Sequence, residues 1–219
     1  MNLPRSIALD ELELDALTEL VNLGVGRAAA SLRNMVEDQV LLSVPAVAIV
    51  TREQAAQIIG EREAGELVAV HQAFDGDISG RALLIFPETN SLELVRAVTG
   101  GQLPLEDIIE LEQEALAETG NIILNACLAT IANMLQRSLS ISLPEILHGH
   151  GPDFFAMAHA LAIENAVLFL YIDFSVKHRD IRGYIAMLMD LPALESLKAL
   201  LGDLIRRTAG DIPRTHASS

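Results

Sequence analysis

Apolar and polar positions along the 219-residue chain fall into two passes of one pattern. Leu17, Leu20, Val21, Ala28 and Leu32 recur at helical spacing, which predicts a helix over 10–36. Gly24 and Gly26 interrupt it, where the helix either kinks or admits a close neighbour. The β-branched run QVLLSVPAVAIV predicts a strand over 39–50, and Thr51 is placed to cap a short helix over 51–59. Two apolar runs, 66–74 and 78–86, flank Asp75-Gly76-Asp77 and predict a β-hairpin that ends at Pro87. A helix with a glycine stop follows over 89–101.

The pattern then restarts. A long apolar helix is expected over 107–136, a strand over 140–148, and a short helix over 153–161. A second hairpin follows, with strands 166–176 and 181–191 and a turn at 177–180, and Pro192 marks its end. A last helix over 193–202 stops at Gly202, and residues 207–219 form a flexible C-terminal tail. Asn22 and Asn121 are 99 residues apart, as are Pro45 and Pro144, and Gly80 and Gly183 are 103 apart. The chain therefore reads as an internal duplication, with halves of about 10–101 and 107–206 making one unit over 1–206. Solenoid repeats run to about 50 residues, so this longer period suits two half-domains related by a pseudo-two-fold. Three strands from each half would join into one antiparallel sheet flanked by helices, an α/β fold of the α+β kind.

Each long helix carries a polar stripe. Asp15, Glu19 and Asn22 stand at i, i+4 and i+7, and so do Glu114, Glu118 and Asn121. Any amphipathic helix has a polar face. Here the stripe recurs at the equivalent place in both halves, with the Glu-to-Asn spacing unchanged. The distance from each Asn to the proline of the next strand is also unchanged. A carboxamide is a poor acid and base but offers a water one donor and one acceptor. Orienting a water for in-line attack on a phosphoryl group accelerates its hydrolysis. An adjacent Glu suits pairing with a lysine on a docking partner.

Composition narrows the chemistry. The formal net charge of −15 disfavours nucleic acid and anionic membrane surfaces as partners. The single cysteine, Cys127, sits in an apolar helical run and reads as a buried thiol in a cytoplasmic chain. Residues 119–136 carry no charge for the lower length of a membrane span, but Gly120, Asn121, Asn125 and Asn133 favour a buried core helix. The first 15 residues hold no apolar run of the signal-peptide kind. His148 and His150 lie close together without further ligands, so no metal site is expected. No G-x-S-x-G motif and no phosphate-binding glycine loop occurs.

The spacing Asp-x3-Glu-x2-Asn-x22-Pro, filled by Asp15, Glu19, Asn22 and Pro45, resembles the signature of the CheC/CheX/FliY family of chemotaxis phosphatases. Glu118, Asn121 and Pro144 repeat it, with Glu114 where Asp or Ser is usual. Two copies in one chain resemble the CheC branch most, and no FliY-like extra domain is expected after the duplicated unit. The resemblance implies a six-stranded antiparallel sheet with pseudo-two-fold symmetry. It implies hydrolysis of the aspartyl-phosphate of a CheY-like response-regulator receiver. Asn22 and Asn121 would position the attacking water, and Glu19 and Glu118 would contact the receiver's lysine. Asp15 and Glu114 would support docking. Mg²⁺ would come with the receiver rather than with this chain. The CheC branch adds CheD, a receptor glutamine deamidase, as a candidate partner. The alternative is a non-enzymatic CheC-like adaptor that binds CheD or a receiver.

Overall fold

The first long helix, α1 (Glu11–Val36), starts at a reciprocal cap. The Asp10 carboxylate accepts from the Glu13 backbone N–H at 2.8 Å, and Glu13 accepts from the Asp10 N–H at 2.9 Å. The computed structural model describes residues 8–36, 40–98, 105–156, 166–176 and 179–210. After α1 come β1 (Val40–Thr51), α2 (Arg52–Arg62), β2 (Leu67–Gly76), β3 (Gly80–Pro87) and α3 (Glu88–Val98). The second pass gives α4 (Leu105–Met134), β4 (Leu139–Ile141), β5 (Glu145–Gly149), α5 (Gly151–Ala156), β6 (Ala166–Val176), β7 (Arg179–Met189) and α6 (Leu191–Gly210).

All pairings are antiparallel, in the order β1-β6-β7-β3-β2-β4, with β5 also on β2. Each half lends its first strand to the other half's hairpin: β1 lies on β6, and β4 with β5 lies on β2. The hairpins meet at the sheet centre through β3 and β7. Neither half can therefore complete its sheet alone.

Strand residues alternate between two apolar clusters. Val68, Val70, Ala82, Leu84, Ile185 and Met187 face the cluster that holds α1, α3, α4 and α6. Leu67, Ala69, Leu83, Ile85, Tyr184 and Ala186 face the smaller cluster under α2 and α5. Covering both faces makes the central strands almost continuously apolar rather than alternating. On the smaller side, the buried Tyr184 hydroxyl donates to Glu63 at 2.6 Å, and burial raises its pKa. α4 is long and apolar enough to cross a membrane by length and composition. Here its buried face (Leu116, Ile123, Leu124, Cys127, Leu128, Ile131) is part of the larger cluster.

Three boundaries differ from expectation. The strand expected over 140–148 is two strands, β4 and β5, that share one sheet position. Pro144 lacks the N–H that a continuous ladder needs, and such breaks belong on edge strands. The other edge strand, β1, shows the same effect, its register shifting between Ser43 and Ala46 around Pro45. The proline of each motif therefore sits where the ladder of an edge strand is interrupted. Gly202 does not end the last helix, which continues to Gly210. A glycine inside a helix costs about 1 kcal/mol. Burial of Leu200 and Leu201, and packing of Leu204 on the core, outweigh that cost. Of the expected tail, 207–210 is thus helical, and 211–219 lies outside the described residues. So do the glycine stop near 100, residues 157–161 of the short helix, and the 177–178 turn.

Candidate functional site

α1 and α4 pack against one another on the same face of the sheet. A Cβ added at Gly24 would meet the Cys127 Cα at 2.8 Å, so the helix backbones touch there. Of the two sequence alternatives for this glycine, the close neighbour holds. Arg27 donates to the Thr130 hydroxyl at 3.1 Å and ties the pair one turn further on.

Helical geometry puts Asp15, Glu19 and Asn22 in a row along α1, and all three are exposed. Among the described residues, neither Glu19 nor Asn22 has a side-chain hydrogen bond or ion pair. Beside Glu19 an apolar groove of about 550 Å³ opens between α1 and the last turns of α6. Leu20, Leu23, Met134, Leu204 and Ile205 line it. Leu23 and Met134 are exposed large apolar side chains.

On α4, Glu114 and Glu118 are exposed, but Asn121 is half-buried and engaged. Its Oδ1 accepts from Gln72 Nε2 at 3.1 Å and from Asn125 Nδ2 at 2.7 Å. Gln72, fully buried on β2, also donates to the Ser142 carbonyl at 2.8 Å. A chain of hydrogen bonds thus runs from the motif asparagine to the bend that precedes Pro144. The Ser142 hydroxyl accepts from the Ala73 N–H at 2.9 Å and holds that bend on β2. Gly120 brings α4 down on β2, since a Cβ there would meet the Val70 side chain at 2.5 Å.

Sequence reading placed both stripes and missed Gln72 and Asn125. The signal for Gln72 was present: a polar pair, His71-Gln72, interrupts an apolar strand. Cys127 is buried, and burial pushes its thiol up to about 12. Among the described residues no group of three or more His, Cys, Asp or Glu gathers to hold a metal ion.

No family model matches the chain. The chain is similar to the CheY-P phosphatase CheC of Bacillus subtilis (strain 168), with 23% identity over 211 residues, 89% of this chain and 96% of that protein. Its fold matches the crystal structure of FliY from Thermotoga maritima with a TM-score of 0.71 at 16% identity, over 90% of this chain and 99% of that one. The middle domain of FliM from Vibrio alginolyticus matches with a TM-score of 0.58 at 14% identity, over 86% of this chain and 99% of that one. An open antiparallel sheet flanked by helices, with paired motif helices on one face, is the CheC-like fold. The near full-length similarity to CheC bears out the resemblance to the CheC/CheX/FliY family that the motif spacing indicated.

Proposed function

We propose that this protein is a chemotaxis phosphatase that hydrolyses the aspartyl-phosphate of a CheY-like receiver. The observation that carries the reading is Asn22. Its carboxamide is exposed, without a partner among the described residues, and one turn beyond an exposed Glu19. Similarity to CheC supports the same reading, since that relative is a CheY-P phosphatase.

In this mechanism the chain brings positioning groups and the receiver brings the phosphoryl group with its Mg²⁺. Glu19 pairs with the receiver's lysine and fixes the dock. The apolar groove beside Glu19 covers receiver surface, and Asp15 supports the contact. Asn22 then enters the receiver site and holds a water by its amide oxygen. The water oxygen attacks phosphorus in line, the bond from phosphorus to the aspartyl oxygen breaks, and carboxylate and inorganic phosphate result. Glu118 and Asn121 are the same pair on α4, and Glu114 stands where Asp15 stands on α1. The work is done in the cytoplasm, where receivers act.

The test is the lifetime of a phosphorylated receiver from the same organism, with Mg²⁺, with and without the protein. A shortened lifetime supports the phosphatase. By analogy with loss of an oxyanion donor, Asn22→Ala should slow hydrolysis on the order of 10²–10³-fold. The fold is shared with the FliM middle domain, and a fold alone does not assign an activity. An unchanged lifetime with tight binding to a receiver or to CheD would make the protein an adaptor.

A further inference from the structure

We infer that Gln72 makes the two motif sites unequal, holding Asn121 where it cannot seat the attacking water and leaving hydrolysis mainly to Asn22. The inference rests on the phosphatase reading above. A carbonyl oxygen can only accept, so the Ser142 carbonyl fixes which end of the Gln72 carboxamide faces it, the amino end. The second Nε2 proton then goes to Asn121, which must present its oxygen. Asn125 donates to the same oxygen. Both acceptor positions of Asn121 Oδ1 are thereby occupied.

An attacking water is oriented when it donates one proton to an acceptor and turns a lone pair toward phosphorus. Asn121 has only its Nδ2 left, a donor, which cannot accept the proton by which the water is oriented. Asn22 has both ends of its carboxamide free among the described residues.

The clamp belongs to one half of the molecule. Gln72 pairs with Ala82 on β3, and the Gly80–Gly183 equivalence maps that pair onto Leu170 and Ile185. Leu170 is buried and has no side-chain polar atom. The residue 99 before Asn125 is Gly26, which has no side chain to donate. Neither clamp member exists under Asn22. Nor does stability account for Gln72, because its Oε1 is buried without a partner. An unpaired buried oxygen is destabilising, and leucine at this place would avoid it.

The experiment measures phosphorylated-receiver lifetime with wild type, Asn22→Ala, Asn121→Ala, and two release variants in the Asn22→Ala background, Gln72→Leu and Asn125→Ala. Asn22→Ala is expected to cost more activity than Asn121→Ala. At least one release variant should regain tenfold or more over Asn22→Ala alone. That gain should vanish on adding Asn121→Ala, since it runs through the freed carboxamide. A merely structural role for Gln72 would not produce a gain. Asn125 is only partly buried, whereas Gln72 is fully buried, so Asn125→Ala is the milder change to the core. Greater loss in Asn121→Ala, or no gain from release variants with unchanged thermal melts, would overturn the inference. A wild type that leaves the lifetime unchanged would instead remove the phosphatase reading itself.

Discussion

Gly24 of α1 and Cys127 of α4 meet backbone to backbone, with no room for a β-carbon between them. This contact sets the spacing of the two helices that carry the motif stripes. Alanine at 24 would gain helix propensity but collide with main chain that cannot step aside. Overpacking of this kind costs about 1–3 kcal/mol. Gly26 is the control, because a Cβ there meets nothing within 4 Å. Gly26→Ala should stabilise by up to about 1 kcal/mol. Urea melts of the two variants should therefore shift in opposite directions, and a shared direction would refute the contact.

The thiol at the same crossing should be inert. Cys127 is fully buried, and burial holds its pKa near 12, so almost no thiolate exists at neutral pH. A thiol reagent should label the folded protein only as fast as it opens, and the unfolded protein at once. Rapid labelling of the native protein at pH 8 would contradict this.

Both stripes were legible because a helix obeys one period, so Glu19 and Asn22 could be placed on one face from spacing alone. The duplication was legible for a related reason, since glycine and proline mark the same turns in each half. The exchange of β1 and β4–β5 between halves was not, because strand partners are long-range and leave no local period. The clamp on Asn121 was hidden for the same reason: Gln72 and Asn121 lie 49 residues apart and meet only when α4 lies on β2. Gly202 misled because a local stop signal lost to the burial of Leu200 and Leu201.

Thr51 tests a local device that sequence identified. Its hydroxyl accepts from the Gln54 N–H at 3.2 Å, and the Gln54 side chain accepts from the Thr51 N–H at 2.9 Å. This capping box starts α2, whose Ala55 and Ile59 fill the smaller cluster. Thr51→Ala should lower stability by about 0.5–2 kcal/mol with receiver-phosphate lifetime unchanged, because α2 lies across the sheet from α1. A change in lifetime without loss of stability would contradict that separation.

His71 gives the fold a dependence on pH. The side chain is nearly buried on β2, with Nδ1 3.3 Å from Glu145 on β5 and Nε2 enclosed without a partner. Burial lowers its pKa, the Arg81 charge on β3 adds to that, and the Glu145 hydrogen bond opposes it. The folded state therefore holds His71 neutral at a pH where the unfolded chain already binds a proton. With the folded pKa depressed, stability is fully present above the ordinary histidine value of about 6.5 and falls as acid titrates the unfolded state and then the native one. One proton contributes at most about 1.4 kcal/mol per pH unit. Melts of wild type and His71→Gln between pH 7.5 and 5.5 isolate this contribution, because the other histidines and the carboxylates are present in both proteins. Wild type should lose more stability over that interval than the variant. Parallel curves would mean that His71 is protonated as readily in the fold as outside it, and that the Glu145 contact balances burial.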